Sequence, residues 1–214
     1  CRIGPAKRLL GIARKREAVV TPLLYIVRHG QTDWNVEQRL QGQAEVDLNE
    51  VGLKQVERNA RLLASLVTNP RDFDFVSSPL RRTRDTMERI REVLGLPREG
   101  YRIDRRLIEL HFGDWQGHTY AELEQLRPLS TRERHEQKWT FVPPGENAES
   151  YAMLADRVAE WLKEVERPTI CTTHGGVIRT LLHLTGGVPT SEAVMMHVPQ
   201  DRVLRVQGSR FEWL

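Results

Sequence analysis

The chain predicts an α/β protein, a three-layer α/β/α arrangement around a central, mostly parallel sheet. Two observations carry that prediction. Short apolar runs of strand length alternate with longer segments of helical periodicity. The first of these runs, Leu23-Leu24-Tyr25-Ile26-Val27, is apolar at every position, as a strand buried on both faces requires.

After that first strand comes a segment rich in Gly, Gln and Asn. A helix follows, with Asn49 as its cap and Leu53, Val56, Ala60, Leu63, Ala64 and Val67 on one face. Phe73-Asp74-Phe75-Val76-Ser77 reads as the second strand, and Pro79 fits the first position of the next helix, striped by Leu80, Thr83, Met87, Ile90 and Leu94. Residues 101–148 hold Pro128, Pro143, Pro144 and Gly145 and read as a connecting excursion with one short helix near Tyr120 to Leu126. Tyr151, Leu154, Val158, Leu162 and Val165 define another helix, ended by Pro168. Thr169 to Thr173 is the third strand, with a helix starting after Gly175-Gly176, and apolar runs at Val194 to Val198 and Val203 to Val206 complete the sheet.

With 214 residues, 39% hydrophobic and 29% charged, the chain is long enough for one packed domain and excludes disordered and collagen-like classes. No apolar stretch approaches the length of a membrane span. Cys1 and Cys171 form no disulfide framework and fit a reducing, cytoplasmic compartment. The formal charge of +3 is uneven: residues 1–22 hold six bases against Glu17, so this arm is strongly basic and the domain at 23–214 slightly acidic. The arm reads as a solvated terminus, with a targeting or polyanion-binding segment as the alternative. An acidic body argues against a nucleic-acid partner.

Three strands run into reactive residues: the first into Arg28-His29-Gly30, the second into Ser78 to Arg82, the third into His174-Gly175-Gly176. In an open parallel sheet these loops share one edge, where ligands bind. Two histidines and at least one arginine, either Arg81 or Arg82, should therefore converge there, beside helix N-termini that favour a phosphate. A neutral imidazole is a competent nucleophile toward phosphorus, neighbouring guanidiniums keep it neutral, and arginines clamp phosphoryl oxygens. No metal or other cofactor is called for. Glu109 is a candidate acid for the leaving oxygen.

Arg28-His29-Gly30-Gln31-Thr32-Asp33-Trp34-Asn35 resembles the signature of the histidine phosphatase superfamily, in its phosphoglycerate-mutase-like branch. Further stretches resemble the family in its order: Asp47 to Gly52; Ser78 to Thr86, like Ser-x-Leu-x-Arg-Ala-x-x-Thr; Glu109 to Gly117, like Glu-x-x-Phe-Gly-x-Trp-x-Gly; and Thr173 to Gly175. The resemblance implies a phosphoglycerate-mutase-like fold, with His29 as the nucleophile that becomes phosphohistidine. Arg28, Arg82 and His174 would form the phosphate pocket, and Glu109 would act as general acid and then base. Asn35, Gln41, Gly42 and the backbone near Gly175 would contact the phosphoryl group or substrate. The family spacing from Ser78 selects Arg82 over Arg81.

Two departures stand out. Thr83 replaces the family's usual Ala, and the family's Pro-Gly-Gly-Glu-Ser is stretched to Pro144-Gly145-Glu146-Asn147-Ala148-Glu149-Ser150, where the spacing to Arg157 makes Glu149 the matching acid. His183 and Cys171 read as core, Trp34 and Trp115 as packing, and His111 as either a substrate contact or a surface residue. Arg132, Arg134, Lys138 and Trp139 either bind an acidic substrate or form a solvated charged loop.

The first function reading is a phosphatase acting on a small phosphorylated metabolite, with a homodimer compatible. Family mutases carry Glu-Arg-His-Tyr-Gly and a longer basic insert after the acid. Here Leu110 replaces that arginine and the excursion is short, so a phosphoglycerate mutase is the alternative. A catalytically weak phospho-ligand or partner-binding module is the third reading; nucleophile, arginines and acid are all present, which speaks against it.

Overall fold

The computed structural model describes residues 22–214; apart from Pro22, the basic arm assigned to residues 1–22 lies outside them. Six strands form one sheet: β1 (Leu24–Arg28), β2 (Asp74–Ser77), β3 (Arg102–Ile103), β4 (Thr169–Thr173), β5 (Val203–Gln207) and β6 (Arg210–Trp213). Their order is β3-β2-β4-β1-β5-β6, with β3, β2, β4 and β1 parallel and β5 antiparallel to both of its neighbours. The register pairs Arg28 with Thr173 and Ser77 with Thr172, so β1, β2 and β4 end together on one edge.

The strands are apolar on both faces because helices cover both. The helices are α1 (Asp33–Val36), α2 (Glu50–Leu66), α3 (Arg81–Val93), α4 (Tyr120–Leu126), α5 (Ser130–Glu136), α6 (Tyr151–Lys163), α7 (Gly175–Gly186) and α8 (Thr190–Ala193). On one face Leu24, Ile26, Cys171 and Leu204 pack with Leu154, Val158 and Trp161 of α6 and Ile178 and Leu181 of α7. On the other, Tyr25, Val27, Ile170 and Val203 meet Ala60 and Leu63 of α2 and Met87 and Ile90 of α3. Alternate residues of β1 thus serve the two cores, which is why its sequence shows no polar position. Burial on the α6 and α7 side pushes the Cys171 thiol pKa up and leaves it an inert apolar packer.

Local chemistry sets the helix starts. Thr32 and Asn35 form a reciprocal cap on α1, and Asn49 accepts from Gly52 N (2.9 Å) at the start of α2. Thr119 and Glu122 cap α4, and Ser150 caps α6. A Cβ on Gly30 would lie 2.4 Å from the Gly52 carbonyl oxygen, so only glycine lets the loop after β1 pass this close to α2.

Several sequence expectations are corrected. Residues 194–198 form no strand; the sheet is completed by β6, joined to β5 through Gly208-Ser209. The excursion holds a second helix, α5, and α6 stops at Lys163, well short of Pro168, which leads into β4 instead. Pro79 lies before α3, whose N-cap is Leu80, and Leu53 and Ala64 of α2 face solvent.

Candidate active site

The ends of β1 and β4 place His29 and His174 side by side, both buried, with ring centroids 5.2 Å apart. The His29 backbone extends the sheet, its N–H donating to the Thr173 carbonyl (3.0 Å). Its ring is oriented from two sides. Nδ1 lies 2.8 Å from its own neighbour's carbonyl, Gly30 O, and so carries the proton. Arg82 Nε then donates to the Nε2 lone pair (3.3 Å), so the unprotonated nitrogen faces the pocket arginine. Burial, then the positive charges of Arg82 and Arg28, hold the His29 pKa well below the usual histidine range, so the ring is neutral at physiological pH. The same causes depress His174, whose Nε2 pairs with Ser78 Oγ at 2.7 Å. That leaves His174 Nδ1 buried with no hydrogen-bond partner.

Two guanidiniums flank the rings, Arg82 buried and Arg28 half-buried. Arg82, at 0% exposure in the first turn of α3, donates to Ala44 O (2.7 Å) and Gly42 O (2.8 Å) besides His29. Arg28 donates from Nη1 to Val198 O (2.8 Å), and its buried Nε has no partner. Burial lowers both to about 10, for Arg28 with help from neighbouring Arg179, yet both stay cationic at neutral pH. Their bonded partners are all neutral. Glu109 acts on both only at longer range, with no carboxylate bonded to either; removing cations from water without a direct ion pair is costly, so two of them around two imidazoles are arranged for an anion. Arg81, by contrast, is exposed and faces Asp47 and Asp85 at 3.5 and 3.8 Å, which leaves Arg82 as the pocket arginine.

Glu109 enters from the excursion. Its carboxylate accepts from Leu110 N (2.9 Å) and from Gly176 N (3.0 Å) in the first turn of α7. A Cβ on Gly176 would sit 2.3 Å from Glu109 Oε1, so glycine is what admits the acid. Its main chain is held by Gln43 Nε2 (2.9 Å) and Arg157 Nη2 (3.1 Å). Arg157 in turn clasps both oxygens of Glu149 at 2.9 Å; Glu149, as the spacing indicated, is the partner, while Glu146 is exposed.

The structure also places the remaining predicted residues. Asn35 Oδ1 is occupied by Thr32 and by Gln200 Nε2 (2.9 Å), leaving its amide nitrogen as the group that can reach a ligand. Gln41 is buried, donating to Thr32 Oγ1 (2.8 Å), with Oε1 unpartnered. Gly42 (φ +53°) turns its carbonyl onto Arg82, and Gly175 opens α7 beneath Arg28. Thr83 directs its hydroxyl to Leu80 O (2.6 Å), so the exchange from Ala is absorbed locally. His111 accepts from Gly113 N (2.9 Å) and locks a turn. His183 packs edge-on against Trp139, Trp115 is buried on Phe141, and Trp34 lies against Gly117.

Sequence reasoning missed Gln200, which ties His29 O (3.1 Å) to Asn35. It also gave no role to Ser78, although Ser78 lay within a quoted motif. Nothing in the pattern around Gln200 marks it, since it acts from a loop before β5. Among the described residues, no group of His, Cys, Asp and Glu is arranged to hold a metal ion, and no helix is long and apolar enough to cross a membrane.

Glucosyl-3-phosphoglycerate phosphatase of Mycobacterium tuberculosis (strain ATCC 25618 / H37Rv) is 37% identical over 169 residues, covering 74% of this chain and 72% of its own. Metal-independent phosphoserine phosphatase of Arabidopsis thaliana is 36% identical over 172 residues, 78% of this chain and 69% of its own. A solved structure of mycobacterial glucosyl-3-phosphoglycerate phosphatase complexed with VO3 superposes with a TM-score of 0.73 at 32% identity, covering 90% of this chain and 96% of that one. The family described as histidine phosphatase superfamily (branch 1) matches residues 24–213, and the chain belongs to it.

Proposed function

We propose that this protein is a phosphatase that hydrolyses a small phosphomonoester through a phosphohistidine on His29. The observation that carries the reading is the His29 ring itself: neutral, with Nδ1 protonated and Nε2 unprotonated, accepting from Arg82 Nε beside Arg28 and His174. In the first step the Nε2 lone pair forms a bond to phosphorus as the bond to the ester oxygen breaks. Charge building on the phosphoryl oxygens is met by the two guanidiniums, the His174 ring and the N–H groups opening α7. Glu109 gives its proton to the departing alkoxide. It then takes a proton from water attacking the same phosphorus, the P–N bond breaks, and free His29 and inorganic phosphate result. None of these steps draws on a cofactor.

The relatives are named for glucosyl-3-phosphoglycerate and for phosphoserine; a small phosphorylated metabolite of that kind is the proposed substrate, met in the cytoplasm. Incubation with 4-nitrophenyl phosphate should release phosphate and leave an acid-labile phosphoenzyme on rapid quenching. His29→Ala should abolish both. Glu109→Gln should slow alkyl phosphate hydrolysis about 10²- to 10⁴-fold and aryl ester hydrolysis much less. Full alkyl activity in that variant would assign the acid elsewhere, and no turnover across a broad phosphomonoester panel would overturn the proposal.

A further inference from the structure

A row of cations beside the phosphoryl pocket has no task in the steps above. Arg179, from α7, lies against Arg28: a Cβ on Gly175 would be 3.3 Å from Arg179 Nη1 and 3.7 Å from Arg28 Cζ. Arg179 Nε donates only to a carbonyl, Met196 O at 2.8 Å. Lys138 comes next, its Nζ 3.7 Å from the Met195 sulfur. Burial, then the charges of Arg179 and Arg134, pull the Lys138 ammonium down to about 8. Arg134 of α5 is 3% exposed, with Nε on the Tyr120 hydroxyl (3.0 Å) and its guanidinium 5.0 Å from the centre of the Phe112 ring. Its Nη1 is buried with no hydrogen-bond partner. Gly175, which lies against Arg179 and Arg28, is followed by Gly176, whose N–H donates to Glu109 (3.0 Å), so the row borders the side of the pocket where the acid stands.

Packing does not explain these residues, of which Arg134 is buried and Lys138 and Arg179 are half-buried. Every partner they have is neutral, and a cation–π contact contributes about 0.5–2 kcal/mol against the several that burying an unpaired guanidinium costs. Crowding like charges adds to the penalty. A solvated charged loop behaves differently, as the same helix demonstrates: Arg132 is exposed and pairs with Glu136 at 2.9 Å. The two readings of this segment therefore divide residue by residue.

We propose that Arg134, Lys138 and Arg179 form an anion subsite that holds a second negative group, a carboxylate, on the alcohol half of the substrate, so that the enzyme selects phosphomonoesters of hydroxy acids. The proposal rests on the phosphatase reading and names its substrate class. A planar carboxylate suits two guanidiniums and an ammonium converging from three elements.

The test is a matched pair of esters on one carbon skeleton, 3-phosphoglycerate and glycerol 3-phosphate, which differ in the carboxylate. Wild-type kcat/KM should favour the carboxylated ester about 10- to 100-fold. Lys138→Gln should bring the ratio to within about threefold of one, Lys138→Arg should retain most of it, and Arg132→Gln should keep the wild-type ratio. Equal kcat/KM in the wild type, or an undiminished ratio in Lys138→Gln, overturns the subsite. 1,3-Propanediol bisphosphate serves as a third arm: if it outcompetes 3-phosphoglycerate, the carboxylate assignment falls. Calorimetric binding of the first two esters to His29→Ala separates the two claims. Absent turnover with a binding preference present would overturn the phosphatase reading alone, whereas equal binding overturns the subsite.

Discussion

The phosphoryl pocket and the excursion of residues 101–148 meet where Glu109 reaches the start of α7 but are built by different means. The pocket residues His29, Arg28 and His174 stand at the ends of β1 and β4, and a ladder of backbone hydrogen bonds fixes their spacing before any side chain is considered. Glu109, Lys138 and Arg134 stand on short helices and turns that side-chain ties hold down: Arg157 with Glu149 at 2.9 Å, Arg39 with Glu122 at 2.7 Å, Arg106 with Glu164 at 2.7 Å. Backbone ladders give a rigid frame that accepts few changes. Side-chain ties are replaceable one at a time, so the excursion is where leaving-group chemistry and substrate choice can diverge while phosphoryl chemistry stays put.

The largest expected effect comes from breaking the pocket. Arg82→Lys keeps a positive charge but loses the fork that reaches His29, Gly42 O and Ala44 O together. Its kcat/KM should fall about 10²- to 10³-fold. The fall should be the same for alkyl and aryl phosphates, because the pocket contacts the group common to all of them. A loss that grows with leaving-group pKa would mean that Arg82 also serves the excursion's half of the reaction.

This division also marks how much the sequence disclosed. Strands buried on both faces need unbroken apolar runs, so Leu24–Arg28 and Thr169–Thr173 were legible within a residue, and with them the edge carrying His29 and His174. The choice of Arg82 over Arg81 needed a family spacing, since adjacent arginines look alike until α3 turns one inward. Helix α5 was invisible for a physical reason. Ser130–Glu136 reads Ser-Thr-Arg-Glu-Arg-His-Glu, with no apolar stripe, and the buried face it does present is made by Arg134. It is also entered through Leu129 in the left-handed region (φ 71°), which no propensity anticipates for a leucine. Strand β6 escaped because it alternates exposed and half-buried residues over four positions on the sheet edge.

A second prediction sharpens the contrast through pH. His29 and His174 are held neutral when folded, whereas in the unfolded chain each titrates near 6.5. Below that pH the unfolded state takes up protons that the folded state refuses, so stability declines as pH falls from 6.5 toward the depressed folded values, by about 1.4 kcal/mol per pH unit for each ring. Chemical denaturation of His29→Asn between pH 6.5 and 5 should show a slope shallower by about that amount. An unchanged slope would mean that His29 is charged in the folded protein, in conflict with its role as nucleophile. Histidine ring NMR at pH 6 should find His29 neutral with the proton on Nδ1.

The smallest effect lies in the excursion and tests whether its ties position the acid. Arg157 touches no reacting atom in the proposed mechanism; it holds Glu109 through the carbonyl (3.1 Å) and Glu149 through both carboxylate oxygens. Arg157→Met keeps an unbranched aliphatic side chain at this position of α6 and removes the fork. Glu109 then keeps its two backbone N–H bonds to Leu110 and Gly176, so it is loosened rather than lost. Misplacing a catalytic group by a fraction of an ångström costs less than deleting it, and kcat on alkyl phosphates should drop roughly tenfold, well short of the Glu109→Gln loss. The drop should shrink as the leaving alcohol becomes more acidic, because a good leaving group needs little of the Glu109 proton. Arg157→Lys should recover part of it. A variant whose loss is independent of leaving-group pKa would show Arg157 acting through the pocket instead, and the excursion would then be part of the rigid frame it is here distinguished from.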